Sequence, residues 1–359
     1  MKAENGFSKQ EKGRKQQMAT IREIARLAKV SPATVSRVLN GTAVVDPQTE
    51  ARVLQVISET GYRPNEVARS LSKRSSRIIG CIVPNIANPF FTELARAVED
   101  EAFRRGYKLI LCNSDEDPAK EEAYIDMLER MNADGIIMTT THADTDELVK
   151  ASPLPMVILD RSPSLSKAAY SVRADHYQGG RLATEYLIEC GCQNIVMMSG
   201  PQKYTSAALR LKGFQDVCRE TGRRVQTIDC DFDFEDGLRQ TRQLRADYPS
   251  CDGILAANDI VALSVVNVLA SEGIRVPEQI QVVGFDNIYL SSLMTPALTT
   301  VSQPTAEIGT RAAAIVADLV EGHERSRESI VLPVEIIVRE TTRQKTSQEG
   351  NCQVEEVYQ

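Results

Sequence analysis

A group of polar and aromatic side chains follows the apolar runs of the second part of the chain, where each run ends. Carboxylates accept hydrogen bonds from hydroxyl groups, arginine donates through a two-pronged fork, and the amides of asparagine and glutamine do both. The rings of phenylalanine can cover the C–H faces of a sugar. This combination predicts a binding site for a polyol. The residues at these positions are Asn88, Pro89, Phe90, Phe91, Asp160, Arg161, Phe232, Asn258, Asp259, Asp286, Asn287 and Gln303, and Arg210 stands early in a helical segment that follows such a run.

Each member of this set also has a structural alternative. Asp286 could cap a helix, Arg161 could pair with a surface carboxylate, and Phe90 could belong to the core. The shared position of the residues at the ends of apolar runs favours the binding site, because isolated structural residues would not follow that rule.

Catalytic and metal-binding patterns are missing from the sequence. It contains no phosphate-binding loop, nucleophile elbow, dinucleotide fingerprint or HExxH motif. The three histidines, His142, His176 and His323, have no partner at metal-ligand spacing, and the eight cysteines form no CxxC pair. The pattern predicts a protein that is not an enzyme, holds no metal or cofactor and keeps its thiols buried and reduced. Acid–base catalysis by Asp259 and Asp286 is the alternative.

Apolar runs alternate with amphipathic helical segments from residue 77 onward. The runs read RIIGCIVP, KLILCN, DGIIMTT, PMVILD, NIVMMSG, DGILAAND and QIQVVGFD. Alternation at this spacing predicts an α/β fold with parallel sheets and helices on both faces. Ligands of such sheets bind beyond the carboxyl ends of the strands, which is where the predicted polyol residues stand.

The segment TIREIARLAKVSPATVSRVLNG and its continuation predict three short helices. Thr20, Ser31 and Asp46 stand at predicted N-caps, and a proline follows the last two at the first helical position. Two helices joined by a three-residue turn and closed by a third form the helix-turn-helix arrangement. The predicted inward positions are Ile21, Ile24, Ala25, Ala28, Val35, Val38, Leu39, Val53, Val56 and Ile57.

The outer face of the second predicted helix suits a DNA major groove. It carries Pro32, Ala33, Thr34, Ser36 and Arg37, which are small or polar, and arginine can read guanine through two hydrogen bonds. Residues 1–77 contain 15 Lys and Arg against 7 Asp and Glu, whereas the remainder contains 27 against 42. A basic first part on an acidic body predicts a polyanionic partner for that part alone. The alternative is a plain three-helix bundle with a hydrated polar face.

The segment PNEVARSLSKRSS, residues 64–76, joins the two parts. It predicts a helix of about two turns, which is marginal on its own because isolated helices below roughly 12–15 residues are unstable in water. Leu71 stands unshielded among Arg69, Lys73 and Arg74. Such a leucine beside cations suits insertion between base steps in the minor groove, and a weak helix can be shifted by a distant ligand. A linker with a helical tendency is the alternative.

The first part resembles the headpiece of the lactose/galactose repressor (LacI/GalR) family. The resemblance rests on ATIREIARLAKVSPATVSRVLNG and GYRPNEVARSLSKR and runs without a gap from Met18 through the linker. It implies that Pro32, Ala33 and Arg37 read base edges and that Leu71 enters the minor groove. The predicted DNA-contacting set is Thr20, Ser31, Pro32, Ala33, Thr34, Ser36, Arg37, Asn40, Asn65, Ala68, Arg69, Leu71 and Lys73.

The second part is similar to the two-lobed periplasmic-binding-protein fold that this family shares with ribose-binding proteins. The matching elements are NPFF, LDR, the Arg of LRLKGF, the first Phe of DFDFEDG, the Asn of AND, the Asp of GFD and the Gln of SQP. The resemblance implies that a pentose, D-ribose, releases the protein from DNA and is held by ten of the polar and aromatic residues, which are Asn88, Phe90, Phe91, Asp160, Arg161, Arg210, Phe232, Asn258, Asp286 and Gln303. It also implies that closing the cleft between the lobes alters the separation of two hinge helices in a dimer.

These arguments predict a small all-α headpiece and hinge helix, followed by the two-lobed α/β core. The first lobe is expected at 77–175 and 304–328, and the second at 176–303 and 329–342. The other predicted segments are a disordered extension at 1–17, a helix-turn-helix domain at 18–63, the hinge helix at 64–76, the two-lobed core over 77–342 and a disordered tail at 343–359. Met18 as the natural start is an alternative to the extension.

The partners implied are operator DNA, a sugar effector and a second copy of the chain. Two-fold symmetry predicts a near-palindromic operator, and the tail lacks the heptads of a tetramerising coiled coil. No apolar run reaches the ~18 residues that cross a bilayer, and the first residues lack the apolar core of a secretory signal, which predicts a cytoplasmic protein. The alternatives are a corepressor-dependent regulator, a regulator that docks a phosphocarrier protein and a sugar-binding protein of transport.

Overall fold

The chain forms two compact units, Met1–Ser76 and Arg77–Gln359. The structure is a computed structural model, and it describes residues 19–41, 43–62, 75–139, 151–160, 170–323 and 329–343. The predicted N-terminal extension, nearly all of the predicted hinge helix and the predicted tail apart from Arg343 lie outside the described residues.

Three helices form the described part of the first unit. They are α1 (Ile21–Leu27), α2 (Pro32–Asn40) and α3 (Pro47–Thr60). The predicted N-caps are confirmed, because side-chain oxygens of Thr20, Ser31 and Asp46 accept hydrogen bonds at 3.3, 3.1 and 3.0 Å from the backbone N–H three residues further on. The helices α2 and α3 end at Gly41 and Gly61, whose left-handed backbone stops the helical hydrogen bonding.

The apolar faces of these helices meet in one small core. Ile24, Ala25, Ala28, Val35 and Val53 are buried, and the other predicted inward positions pack against them half-buried. The helical spacing of apolar residues therefore located the core of this unit from the sequence alone.

The second unit contains two six-stranded sheets. The first sheet consists of β1 (Ile78–Val83), β2 (Lys108–Asn113), β3 (Gly135–Thr139), β4 (Met156–Leu159), β5 (Tyr170–Ala174) and β11 (Ser329–Leu332). The second consists of β6 (Ile195–Ser199), β7 (Thr227–Asp229), β8 (Gly253–Ala256), β9 (Gln281–Asp286), β10 (Thr299–Ser302) and β12 (Glu335–Ile337). Their orders are β11-β5-β4-β3-β1-β2 and β12-β10-β9-β8-β6-β7.

Neighbouring strands run parallel in both sheets except for the antiparallel pair β10 and β12. The helices of this unit are α4 (Pro89–Arg104), α5 (Pro118–Arg130), α6 (His176–Glu189), α7 (Thr205–Glu220), α8 (Phe234–Asp247), α9 (Asp259–Ser271), the short 3₁₀ helix Tyr289–Ser292 and α10 (Thr305–Val320). The predicted α/β class with parallel sheets is confirmed.

Each sheet is covered on both faces, because successive side chains of a strand point to opposite sides. In β1, Ile79 packs with α4 and α10, whereas Ile82 packs with α5. In β6, Met197 packs with α6 and α7, whereas Met198 packs with α8 and α9. Burial on both faces explains why these strands read as continuous apolar runs.

The described chain passes between the two lobes three times, after β5, after β10 and after β11. The sequence analysis assigned residues 329–342 to the second lobe. For Ser329–Leu332 this assignment is wrong, because these residues form β11, which pairs with β5 in the first sheet. Pro333, which has no N–H to donate, separates β11 from β12. Of these two strands, β11 belongs to the first sheet and β12 to the second.

The described cysteines are all free and buried, as the sequence predicts, while Cys352 lies outside the described residues. Burial raises the pKa of the Cys81 thiol to about 12, so this side chain stays protonated at neutral pH. Within the described part of the chain, no helix is both long and apolar enough to cross a membrane.

Candidate functional site

A cavity of about 620 Å³ lies between the two lobes at the carboxyl ends of their strands. We call it the cleft. Most strands of both sheets deliver a lining residue at or just beyond their last position, which is the place where ligands bind to parallel sheets. In strand order these residues are Asn88, Glu116, Thr139, Asp160, Tyr204, Phe232, Asn258, Asp286 and Gln303.

Nine of the ten residues predicted to hold the sugar line the cleft. The tenth, Arg161, lies outside the described residues. Arg210 is the one lining residue of the predicted set that comes from the interior of a helix, α7, and it is 4% exposed. The fold therefore brings together nearly all of the side chains that the sequence analysis selected.

Two cleft carboxylates stand on unusual backbone. Asp160 directly follows β4 with φ 58°, and Asp286 ends β9 with φ 117°. L-residues with positive φ cost on the order of 1–3 kcal/mol and cluster at functional sites, where the surroundings hold them in place. The cost is consistent with a site that requires both carboxylates at fixed positions.

Arg210 and Asp286 form the buried polar centre of the second-lobe wall. The Arg210 guanidinium donates to the backbone oxygen of Ala257 at 2.6 Å and lies 3.4 Å from Asp286 Oδ1. Gln303 donates from Nε2 to the same carboxylate oxygen at 2.7 Å. Burial raises the pKa of Asp286 above its ordinary value, with help from the charge of Asp259, and outweighs the opposing attraction of Arg210.

Asp160 differs from Asp286 in its titration. Burial raises the pKa of Asp160, but favourable interactions with His176, Arg210 and Ser206 outweigh this effect and hold the pKa below its ordinary value. Of this pair, Asp160 is therefore the carboxylate that is ionised at neutral pH, whereas burial favours the protonated form of Asp286.

The aromatic side chains form two walls. Phe90 and Phe91 meet edge to face with ring centroids 5.1 Å apart. On the second lobe Phe232 stacks on Tyr204 at 5.5 Å, and the Arg210 guanidinium lies 6.0 Å from the Phe232 ring centroid. Such faces offer apolar cover to the C–H groups of a sugar ring.

Two of the asparagines that line the cleft, Asn88 and Asn258, also cap helices. Asn88 Oδ1 accepts from the Phe90 N–H at 3.0 Å at the start of α4, and Asn258 Oδ1 accepts from the Val261 N–H at 2.8 Å at the start of α9. A structural role and a binding role thus coexist in one side chain, since each amide group also has a nitrogen that can donate.

Two buried polar atoms of the cleft have no hydrogen-bond partner within the described residues. They are Thr139 Oγ1, in a residue 4% exposed at the end of β3, and Gln303 Oε1, in a residue 5% exposed just after β10. An unsatisfied buried polar group costs about 1–3 kcal/mol. Both residues line the cleft, Thr139 at the end of a first-sheet strand and Gln303 just after a second-sheet strand, which is consistent with a polar ligand between them.

Sequence reasoning missed several lining residues. Thr139 ends the run GIIMT and obeys the strand-end rule, so that rule could have found it. Tyr204 and Lys203 follow β6 in a loop without periodic pattern, and across the cleft both approach Glu116, which accepts from the Tyr204 hydroxyl and lies 3.4 Å from Lys203 Nζ. The remaining lining residues outside the predicted set are Pro84, Asn85, Pro201, Thr205, Ser206, Asp231 and Asp233.

In the first unit, the predicted DNA-reading residues lie on one surface of α2. Pro32, Ala33 and Arg37 are exposed, and Thr34 and Ser36 are half-buried. Ser31 Oγ bonds the Thr34 hydroxyl at 2.9 Å, and Asn40 donates from Nδ2 to the Ser36 backbone oxygen at 2.8 Å. Thr20 is exposed at the start of α1. The predicted hinge contacts Asn65, Ala68, Arg69, Leu71 and Lys73 lie outside the described residues.

Known families match both units. The model described as "Bacterial regulatory proteins, lacI family" matches residues 20–65, and the one described as "Periplasmic binding protein-like domain" matches residues 184–342. The chain is 40% identical to the ribose operon repressor of Halalkalibacterium halodurans over an alignment of 326 residues. This alignment covers 91% of this chain and 98% of that protein. The chain belongs to the LacI family.

Two solved structures resemble this LacI-family chain. The lac repressor dimer bound to operator and the anti-inducer ONPF is 27% identical, with a TM-score of 0.83 over 90% of this chain and 99% of that chain. A LacI family transcriptional regulator from Enterococcus faecium with bound ribose is 30% identical, with a TM-score of 0.67 over 74% of this chain and 98% of that chain.

Family membership confirms the resemblance and the fold class predicted from the sequence. This LacI-family protein is a DNA-binding transcriptional repressor with a periplasmic-binding-protein-like core, and it is not an enzyme. A repressor that responds to a small molecule needs a DNA-reading surface and a separate ligand cavity, and the exposed face of α2 and the cleft are the two candidates.

Proposed function

We propose that this LacI-family repressor controls a pentose-utilisation operon, that it binds a near-palindromic operator as a homodimer, and that D-ribose in the cleft releases it. The name of the Halalkalibacterium halodurans relative and the ribose bound to the Enterococcus faecium regulator support a pentose. A regulator of this kind acts where the operator lies, so the proposed compartment is the cytoplasm.

The observation that carries the proposal is the set of unsatisfied groups in the cleft. The hydroxyl of Thr139 can donate or accept, and Gln303 Oε1 requires a donor. A molecule with hydroxyl groups on opposite sides satisfies both atoms at once, whereas an apolar ligand would leave both unpaired. A sugar also presents C–H faces to the rings of Phe90, Phe91 and Phe232.

The charges in the cleft favour a neutral sugar over a sugar phosphate. The described lining residues include five carboxyl groups but two cationic side chains, Arg210 and Lys203, so the carboxylates outnumber the cations even when Asp286 is protonated. A phosphate group would therefore meet an excess of negative charge. The carboxylates that line the cleft are Glu116, Asp160, Asp231, Asp233 and Asp286.

The DNA-binding half of the proposal assigns base reading to the exposed residues of α2. Arg37, Pro32 and Ala33 stand on one exposed surface, and arginine can donate two hydrogen bonds to guanine. The N-termini of α1 and α2, capped by Thr20 and Ser31, offer backbone N–H groups and helix dipoles suited to phosphates. The insertion of Leu71 into the minor groove stays a prediction from the sequence.

The sugar would act on DNA binding through the relation between the two lobes. Three crossings join the lobes, so a ligand held by both of them favours one lobe orientation. In a homodimer that orientation would set the distance between the two hinge segments. Coupling of this kind is typically about 1–3 kcal/mol, or 5–150-fold in affinity.

Titration and gel shift together test this proposal. Calorimetric titration of the purified protein with D-ribose, D-xylulose, other pentoses and D-ribose 5-phosphate is expected to show the tightest binding for D-ribose and weaker binding for its phosphate. Gel shift of an operator fragment is expected to show release by D-ribose. Operator binding that requires the sugar would indicate a corepressor, and binding that requires an added phosphocarrier protein would indicate the partner-dependent alternative.

Two variants separate the sugar site from the DNA site. Asp286→Ala is expected to bind operator normally and to lose the response to ribose, because Arg210 and Gln303 lose their shared acceptor. Leu71→Ala is expected to weaken operator binding strongly and to keep the ribose affinity of the wild type. An Asp286→Ala protein that ordinary ribose concentrations still release from operator would contradict the assigned site.

A further inference from the structure

A buried histidine lies behind the cleft between two of its charged side chains. His176 is the first residue of α6, reached directly after the first crossing between the lobes, and its side chain is 0% exposed. Its Nε2 forms a hydrogen bond with Asp160 Oδ1, and its Nδ1 lies 3.3 Å from Arg210 Nε. The ring does not line the cleft itself.

The partners of the two ring nitrogens determine which of them carries the proton. A guanidinium can only donate, so Nδ1 of His176 must accept from Arg210. Nε2 then carries the hydrogen and donates to the Asp160 carboxylate, which can only accept while ionised. Burial lowers the pKa of His176 more than the neighbouring Asp160 raises it, which is consistent with a neutral ring of this tautomer.

The two groups joined by His176 belong to different lobes. Asp160 follows β4 of the first sheet, whereas Arg210 belongs to α7, which covers the second sheet. The ring of Phe285 supports the arrangement, since it lies 5.9 Å from the His176 ring and 3.7 Å from the Arg210 guanidinium. His176 therefore completes a polar chain from Asp160 through Arg210 to Asp286.

We propose that His176 is a positioning residue of the effector site, whose neutral ring holds Asp160 of one lobe and Arg210 of the other at the relative position that the sugar requires. The inference rests on the proposed function, because it assigns the sugar to the cleft that Asp160 and Arg210 line. It concerns a residue that touches no ligand in the cleft, so its effect must pass through those two side chains.

The chemistry of the ring distinguishes this role from simple filling of space. A phenylalanine at position 176 would occupy nearly the same volume but would remove both ring nitrogens. Asp160 and the Arg210 Nε–H would then lose a buried partner and turn toward other groups or water. A hydrogen bond to a charged group is worth about 1.5–3 kcal/mol, which corresponds to about 10- to 150-fold in affinity.

The test combines sugar affinity with a spectrum of the ring. His176→Phe is expected to weaken D-ribose binding by about 10- to 150-fold. His176→Gln, whose amide can both donate and accept, is expected to lose less. His323→Gln is the matched control, because His323 is 66% exposed and does not line the cleft. An unchanged ribose affinity in His176→Phe overturns the proposal.

A double-mutant cycle identifies the route of the effect. If His176 acts through Asp160, then His176→Phe costs much less affinity in an Asp160→Ala background than in the wild type. Additive losses in the cycle would overturn the proposed route.

The tautomer is read on sugar-free protein. The chain has three histidines, so ring ¹⁵N spectra are simple and His176→Gln assigns the signal. The expected spectrum is a neutral ring with the proton on Nε2 at pH 7, and a protonated ring or the other tautomer overturns the inference. Failure of the wild type to bind ribose would instead contradict the proposed function, while the spectrum still decides whether His176 links the two side chains.

Discussion

The DNA-reading unit and the cleft carry their functional side chains in opposite ways. The reading face of α2 is exposed, spans a single short helix and depends on a small core of five buried residues beneath it. The cleft collects buried side chains from strand ends spread between Asn88 and Gln303 and from both lobes. The first site is contiguous in sequence, and the second exists only because of strand order.

The two sites also differ in whether the residues that recognise a ligand are the same residues that stabilise the fold. On α2, recognition residues point away from the core, so they can change without loss of fold. In the cleft, Arg210, Asp286 and Gln303 are buried and hydrogen-bonded to each other, so recognition and local stability share the same groups. Variants of the two sites should therefore differ in which property they change.

The largest effect is expected from the core of the first unit. Ile24→Ala removes a fully buried side chain and should lower the free energy of unfolding of that unit by about 2–5 kcal/mol. Operator binding should fall with it, while ribose affinity stays at the wild-type value. Scanning calorimetry and titration measure the two properties. Leu27→Ala, in the same helix but 45% exposed, is the control, and a changed ribose affinity in Ile24→Ala would break the comparison.

The reading face should respond without loss of stability. Arg37→Ala is expected to cost about 1–3 kcal/mol of operator affinity and to leave the thermal unfolding and the ribose affinity unchanged. Competition gel shifts with operator and unrelated DNA measure the specific part. Arg52→Ala removes the same charge from an exposed position of α3 and should weaken both DNAs by a similar factor. Equal losses on both DNAs in Arg37→Ala would rule out base reading by this residue.

The cleft should make stability depend on pH. The folded pKa of Asp286 lies above the ordinary value of 3.8, so the folded state holds a proton that the unfolded chain has released. The free energy of unfolding should therefore fall as pH rises from 6.5 to 7.5, by at most about 1.4 kcal/mol per pH unit from this group. Asp286→Asn should remove that contribution. Denaturant unfolding at several pH values measures it, and identical slopes in both proteins would show that Asp286 does not titrate there.

The smallest effect is expected at the unsatisfied hydroxyl. Thr139→Val keeps the shape and should weaken ribose binding by about 0.5–1.5 kcal/mol without lowering the stability of sugar-free protein. Thr241→Val is the matched control, since the Thr241 hydroxyl is buried and donates to the Gly237 backbone oxygen at 2.7 Å. The control should lose stability and keep ribose affinity. A Thr139→Val protein with reduced stability and unchanged affinity would contradict a ligand role.

Much of this architecture could be predicted because its signals are local. Caps at Thr20, Ser31 and Asp46 and the spacing of apolar residues predicted the first unit, and apolar runs predicted the parallel sheets. The lobe assignment of β11 was wrong because SIVLPVEII offers no sign, apart from Pro333, that the chain leaves one sheet for the other. The ligand identity stays a prediction that relatives support, and the hinge stays a prediction from the sequence because nearly all of it lies outside the described residues.

His176 and Thr139 show what a one-dimensional reading overlooks. The histidine has no partner at metal-ligand spacing, and nothing nearby in sequence announces Asp160 and Arg210 as neighbours. Thr139 is an ordinary end of a strand until the structure shows that its hydroxyl is buried without a partner among the described residues.

By itself, the sequence determined the helices of the first unit, the α/β class of the second and the chemical types that stand at strand ends, because caps, apolar periodicity and strand–helix alternation act between near neighbours. Only the tertiary structure decided that Asp160, His176, Arg210 and Asp286 form one chain of polar contacts and that two polar atoms of cleft residues have no partner among the described residues. Those relations depend on distances between segments far apart in sequence, which are set by strand order and lobe crossing.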